Sequence, residues 1–360
     1  MLYFSFYILV FLLNFTSAFI PVGRESHSSV LIDRKLYFIG GFRVYDSDGN
    51  RIENTTNEFF YLDVSKQFTL NDSSTIPWND LTNTGGPKLA LTAVCSGEFN
   101  DMIYVFGGKN NEIVLEGITV YQYNLIKKQW INNIKAKRID PSNRSYNSCA
   151  KFNGSMIIMS GQYIHNDDVL NDAWLFNTVK SSWRLSQNRE NVNLIRFGYQ
   201  AISFIDAGTI ILYIGGSNTT DPYTYVPMDQ LLLYNTNTDE WTTVKTSGTT
   251  PPGRIDFSAV LTTDRRVIIF GGSDNTTHFG DLWILNIETF QWSIGNITNP
   301  ISDLQVSSHT ATLIDNYMLV AFGQFSNFST GYLSSKIFLL DVSQNDSYKW
   351  VNEFIPNSIN

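Results

Sequence analysis

The chain has 360 residues, a formal net charge of -8 and an isoelectric point near 5.0. It is 43% hydrophobic but only 16% charged, enough apolar material for a large core and too little charge for a disordered chain. The acidic balance and the lack of any Lys/Arg-rich run exclude a nucleic-acid binder, which needs a basic stripe to displace counterions from phosphates.

The N-terminal stretch MLYFSFYILVFLLNFTSA carries no charge, and the first charged residue is Arg24. Its apolar run from Leu2 to Phe15 is about 14 residues, shorter than the ~20 that span a bilayer and close to a signal-peptide core. Thr16-Ser17-Ala18 supplies small residues for cleavage, so residues 1–18 read as a signal peptide and the mature chain as secreted. No later stretch approaches a membrane span, so no transmembrane segment is expected in the mature chain. Asn-x-Ser/Thr sequons at Asn54, Asn71, Asn143, Asn153, Asn218, Asn275, Asn296, Asn327 and Asn345 fit a glycoprotein.

From residue 19 onward a unit of about 55 residues repeats along the chain. The first, approximately 23–82, has a strand at His27, a second closing on Gly40-Gly41, a third closing on Asp63, and Trp78. The second, approximately 87–136, has Leu91, Gly107-Gly108, Asn124 and Trp130 at the same landmarks. The third (143–188) has Asn147, a degenerate Gly161-Gln162, Asn177 and Trp183. The fourth (195–247) has Tyr199, Gly215-Gly216, Asn235 and Trp241, and the fifth (253–297) has Phe257, Gly271-Gly272, Asn286 and Trp292. The sixth (306–354) has His309, a degenerate Gly323-Gln324, Asp341 and Trp350. The other two tryptophans, Trp174 and Trp283, fall at matching positions in NDAWLFN and GDLWILN.

Each unit reads as four short strands punctuated by Gly, Asn, Asp and Pro, with no amphipathic helix. One four-stranded sheet cannot bury both faces, so the units must stack about an axis, each sealed against the next by its tryptophan. The Gly doublet, the aromatic run ending in Asn/Asp and the following Trp resemble the kelch repeat, over about 23–354. The resemblance implies an all-β, six-bladed kelch-type propeller of antiparallel four-stranded blades, one domain over 19–360. Blades are expected to be contiguous, closing by packing of the first on the sixth, with 19–22 or 351–360 as candidates to pair across that seam.

Kelch propellers include copper radical oxidases similar to galactose oxidase, whose site uses two His, two Tyr (one crosslinked to Cys) and a Tyr-His dipeptide. Here no Tyr precedes a His, and His27 and His309 occupy equivalent positions better suited to structural roles. Cys95 and Cys149 are read as two strand positions out of step in adjacent blades, an offset of about 7 Å that favours buried free thiols over a disulfide. Sequence signatures of hydrolases, zinc proteases and nucleotide binders are absent, so no cofactor or metal is expected. A galactose-oxidase-like or sugar-modifying enzyme on the same scaffold is the alternative to a binding protein.

Binding belongs on the loops after the Gly doublets, displayed at one end of the channel. These carry Tyr45, Tyr163, Tyr223, Tyr225, Phe279 and Phe325. A basic residue precedes five of the six first strands by three positions: Arg24, Lys88, Arg144, Arg196 and Arg254. Together they suggest a basic mouth with an aromatic rim for a protein or carbohydrate ligand, peptide carboxylates or sugar acids. The competing reading is that these arginines pack structurally.

Overall fold

Asn and Asp punctuate the strands because their side chains cap the turns that follow. The Oδ1 of Asn124, Asn177 and Asn286 accepts backbone N–H groups two or three residues on, closing the third-to-fourth strand hairpins. Between the first two strands of blade one, Asp33 and Arg34 adopt φ of 46° and 61°, the left-handed pair that a two-residue hairpin needs.

The computed structural model describes residues 19–47, 50–111, 118–131, 141–188, 192–206, 208–220, 223–325 and 332–357. The leader expected over 1–18 and the sequon at Asn327 lie outside the described residues. Six sheets succeed one another along the chain and form a six-bladed β-propeller, antiparallel but for Ser247–Gly248, which adds a short parallel strand to the outer edge of the fifth. Their innermost strands are Ser28–Ile32, Ala93–Ser96, Cys149–Phe152, Gln200–Asp206, Ser258–Leu261 and Thr310–Ile314. Every blade is contiguous in sequence, as expected. The loop after the first Gly doublet is itself a hairpin, Phe42–Ser47 with Asn50–Thr55, and Ser217–Thr220 pairs with Tyr223–Tyr225 in blade four.

Closure rests on more than packing. The residue opening each innermost strand donates its N–H to the equivalent carbonyl of the preceding blade. Ser26 bonds Ser308 (2.8 Å), Leu91 bonds Ser26 (2.8 Å) and Tyr146 bonds Leu91 (3.2 Å). Gly198 bonds Tyr146 (2.9 Å), Asp256 bonds Gly198 (3.2 Å) and Ser308 bonds Asp256 (2.9 Å). The chain of bonds returns to its start, and all six residues have φ between 53° and 64°. A second ring lies outside it: Gly41, Gly108, Gly161, Gly216, Gly272 and Gly323 donate to Leu89, Arg144, Arg196, Arg254, Val306 and Arg24 of the next blade, at 2.8–3.0 Å.

These rings fix the register between blades and correct three readings. The first-glycine position belongs to Ser160 and Phe322 in blades three and six, with φ of 46° and 57°, and Gly161 and Gly323 take the second. In blade two, Leu89 and not Lys88 stands where the arginines stand. Cys149 is then only one position from Cys95, the Cα atoms are 6.0 Å apart, and the two form a disulfide between blades two and three. The expected free thiols are overturned. The glycines themselves are sterically required: a Cβ at Gly271, where φ is 66°, would strike the Val306 carbonyl oxygen.

The core lies between blades. Each blade contributes one face to the cluster before it and one to the cluster after, and the ring ends with Phe38 and Phe60 of blade one packed on Leu339 and Phe322 of blade six. The repeat tryptophans seal each blade, but against the preceding one. Trp130 meets Phe59, Trp183 meets Phe106, Trp350 meets Phe270 and Trp78 meets Phe322, while the indole N–H of Trp241 donates to Ser186 and that of Trp292 to Met228. At the seam, Glu353–Phe354 pairs antiparallel with Phe68–Thr69, and Phe354 stacks on Phe68 at 5.0 Å. Arg34 adds a bidentate pair to Asp315 (2.6 and 2.8 Å). Residues 353–354 thus supply the seam pairing expected from 351–360, and Phe19 packs on Phe60 from the other terminus.

Candidate functional site

Three of the arginines expected at a basic mouth are consumed inside the protein. Arg254 is fully buried. Its Nη atoms grip Asp281 (2.6 and 3.0 Å), Nη1 also donates to the Gly271 carbonyl (3.0 Å), Nε donates to Pro252 (3.2 Å), and Phe279 lies 4.0 Å from the guanidinium. Arg144 repeats this with Asp172, Ser160 and Ser142, and Arg24 with Glu58, Gly40 and Val22. A guanidinium that is fully buried, and is gripped by a carboxylate and carbonyls of its own chain, presents no face to a ligand. The ring of Arg24, Arg144 and Arg254 is therefore structural, and Lys88 is an exposed residue one position out of register. Reading the acid five residues before each third-strand Asn/Asp (Glu58, Asp172, Asp281) would have revealed the pairs. Arg196 differs: Gln230 stands at that position in blade four.

The ring of left-handed residues frames a cavity of about 200 Å³ at the mouth of the channel. Asp256, Tyr146, Asn147, His27 and His309 line it. Asp256 keeps a little solvent contact along the channel but is walled by protein, and burial pushes its carboxyl up to about 7. Burial, reinforced by the Asp256 charge, also raises the Tyr146 phenol. His27 and His309 are held neutral: burial drives His27 well below the usual imidazole range and takes His309 down to about 3. Their Nε2 atoms bond hydroxyls across blade interfaces, His27 to Thr310 (2.9 Å) and His309 to Ser258 (2.8 Å). Both Nδ1 atoms, with both amide atoms of Asn147, are buried without partners. Among the described residues, no group of three or more His, Cys, Asp or Glu is placed to hold a metal.

The loop aromatics behave unequally. Tyr223 is 37% exposed and belongs to a row that starts at the channel: Tyr146 to Phe197 (5.8 Å between ring centres), Phe197 to Tyr223 (5.9 Å), Tyr223 to Tyr225 (6.1 Å). The Tyr225 hydroxyl then donates to Asn275 of the blade-five loop (2.9 Å). Tyr163 is half-buried beside His165, and Phe325 packs on Phe338. Phe279 covers Arg254 rather than forming a rim. The Tyr45 side chain lies outside the described residues. Sequence reasoning missed Tyr146, Phe197 and Asp256, whose places are set by the backbone ring and not by a motif. The most exposed apolar side chains, Phe99, Ile126, Val179 and Ile205, sit on or beside the hairpin turns at the opposite end of the propeller.

Of the sequons, Asn54, Asn71, Asn153, Asn275, Asn296 and Asn345 are exposed, and Asn218 is half-buried. Asn143 is a correction. It is 3% exposed, with its Oδ1 accepting the Arg144 N–H at 3.1 Å, so the folded chain leaves no room for a glycan there.

Residues 201–356 match the model of the KLHDC2/KLHL20/DRC7 Kelch-repeats domain. Among similar proteins, host cell factor 1 of Homo sapiens is 27% identical over 237 residues, covering 61% of this chain and 11% of that protein. Kelch domain-containing protein 10 of Rattus norvegicus is 25% identical over 283 residues, covering 76% of this chain and 65% of that protein. The chain thus spans less than two-thirds of the length of these relatives. The solved structure of YjhT superposes with a TM-score of 0.66 at 13% identity, over 92% of this chain and 98% of that one, which is a likeness of fold. With six blades in register around a closed ring, the chain is a six-bladed β-propeller of kelch type, similar to the kelch-repeat proteins over these stretches.

Proposed function

We propose that this chain is a secreted scaffold that binds a partner protein on its loop-bearing face, around the channel mouth. The observation that carries the reading is the aromatic row from Tyr146 through Phe197 to Tyr223 and Tyr225. Tyrosines with few rotatable bonds, held by a rigid ring and ending at an exposed ring face, are what anchors in protein interfaces are made of. The kelch fold itself is consistent with a protein-binding scaffold. Secretion draws support from the charge-free apolar leader and from the Cys95–Cys149 disulfide, a bond at home in an oxidising compartment.

The test is expression of the full chain in a eukaryotic secretory cell line, with chemical cross-linking of bound protein from the culture medium. Replacing Tyr223 and Tyr225 together by Ala is expected to abolish the specific cross-linked species while leaving the melting temperature unchanged. Replacing Phe99 and Ile126 by Ser, at the opposite end, is expected to leave it intact. The reverse pattern would move the binding face to the other end. Retention of the chain in the cytosol, with no glycosidase-sensitive mass, would remove the secretory part.

A further inference from the structure

Each blade has a socket formed by the residue two before the left-handed ring position and the residue five before the third strand's terminal Asn/Asp. In blades one, three and five the socket holds an ion pair: Arg24 with Glu58, Arg144 with Asp172, Arg254 with Asp281. In blades two and six neither the arginine nor the acid is present: Leu89 stands with Thr119, and Val306 with the exposed Lys336. Blade four keeps the cation and lacks the anion. Arg196 is 6% exposed, shares a cleft with Gln230, and has no ion-pair partner among the described residues, with its Nε buried and unbonded. Gln230 turns instead to Thr243, donating at 3.2 Å.

A buried guanidinium without its carboxylate is costly, because its charge has left water with no opposite charge to compensate it. Burial lowers the Arg196 guanidinium to about 10, still charged at neutral pH. The vacated space is real. A cleft of about 350 Å³ opens beside Arg196, walled by Ile195, Val226 and Pro227 and flanked by Asn218 and Gln230. The Asn218 Oδ1 is likewise buried with no donor to satisfy it. The cleft thus offers cationic donors and an unmet acceptor, together with apolar walls.

We infer that the blade-four cleft receives an acidic side chain of a bound polypeptide: its carboxylate completes the Arg196 socket as Asp172 and Asp281 do in their blades, and a peptide N–H meets Asn218. This rests on the protein-binding reading above and names one chemical feature of the partner. A planar carboxylate matches the two-pronged guanidinium, and peptide N–H groups supply the donors that a simple inorganic anion lacks.

The experiment titrates the purified full chain by calorimetry with the capped peptide Ac-Gly-Glu-Gly-NH2, its glutamine counterpart, and Ac-Gly-Gly-Gly-OH. The glutamate peptide is expected to bind at least about tenfold tighter than the glutamine one, a carboxylate-dependent difference. Gln230→Glu, which supplies the missing acid internally, is expected to lose that binding by at least about tenfold and to raise the melting temperature. Arg196→Gln should lose the selectivity too, and Gln230→Glu keeps the test decisive should that variant not fold. Equal binding of glutamate and glutamine peptides, or undiminished binding by Gln230→Glu, would overturn the inference. Selectivity confined to Ac-Gly-Gly-Gly-OH would overturn it in favour of a chain terminus. Because Tyr223 and Tyr225 are untouched, these results stand apart from the cross-linking test: loss of that capture with peptide selectivity intact would sink only the wider reading.

Discussion

The N–H of Ser26 donates to the carbonyl of Ser308 at 2.8 Å, joining the start of the first blade to the start of the last across 282 residues of chain. It is one bond of a cycle, so no blade is an end: each ring residue gives one hydrogen bond to the blade before and takes one from the blade after. The ring also aims Asp256 and Tyr146 at the channel mouth, so closure of the fold and construction of the candidate site are one event.

The C-terminal strand is expected to behave as a clasp. Phe354 is fully buried on Phe68 and Tyr317. Phe354→Ala is expected to cost about 3–5 kcal/mol, the range for emptying a buried aromatic site. Denaturant unfolding checks this, and a loss under 1 kcal/mol, roughly what a surface substitution gives, would mean the seam does not need the strand.

The disulfide closes a loop of 54 residues between neighbouring blades. Loop-closure entropy alone gives about 4 kcal/mol for such a span. Cys95→Ser with Cys149→Ser, or reductant in the unfolding buffer, is expected to lower the melting temperature. Mass spectrometry after thiol alkylation without reduction should find no labelled cysteine.

Arg254 with Asp281 is expected to be a structural pair. Asp281→Asn leaves a buried guanidinium facing a neutral amide and also weakens the bond from the Trp283 indole (2.7 Å). The expected loss is about 1.5–3 kcal/mol, the range for hydrogen bonds to a charged group, because the Asp281 carboxylate is 37% exposed and partly screened, with no change in partner capture. Capture lost at unchanged stability would restore Arg254 to the ligand site.

The pH dependence has a definite sign. His309 falls from 6.5 in the open chain to about 3 when folded, and His27 falls in the same direction, both chiefly through burial. Between those values the unfolded chain binds more protons, so stability drops as pH falls below 6.5. Asp256 works the other way: its carboxyl rises from 3.8 to about 7, so its contribution is present at low pH and is lost as pH rises towards 7. Two imidazoles oppose one carboxyl, and the net expectation is loss of stability on acidification. His309→Gln should flatten that limb and Asp256→Asn should steepen it, each by up to about 1.4 kcal/mol per pH unit. Melting temperatures between pH 4.5 and 7.5 check both directions.

Blade number, strand order and the sealing role of the tryptophans were legible because they rest on residue type: aromatic runs, Asx-capped turns and indoles recur in register. The register between blades was not. It is set by a left-handed backbone position filled by Ser26, Leu91, Tyr146, Gly198, Asp256 and Ser308, six residues with no shared side-chain chemistry. One slip in blade two therefore produced both the Lys88 assignment and the separated cysteines. The arginines stand out in the sequence and their partners do not, since the ion pair between Arg144 and Asp172 spans 28 residues and forms only once the second and third strands are paired.

The ring is the central claim, and backbone amide exchange followed by NMR on the intact chain tests it most directly. The N–H groups of Ser26, Leu91, Tyr146, Gly198, Asp256 and Ser308 line a solvent-reachable mouth, yet as members of one closed cycle they should exchange slowly and together, at the rate of global unfolding. Fast, independent exchange of these six amides, comparable to that of an exposed hairpin turn, would contradict the closed ring and the site built on it.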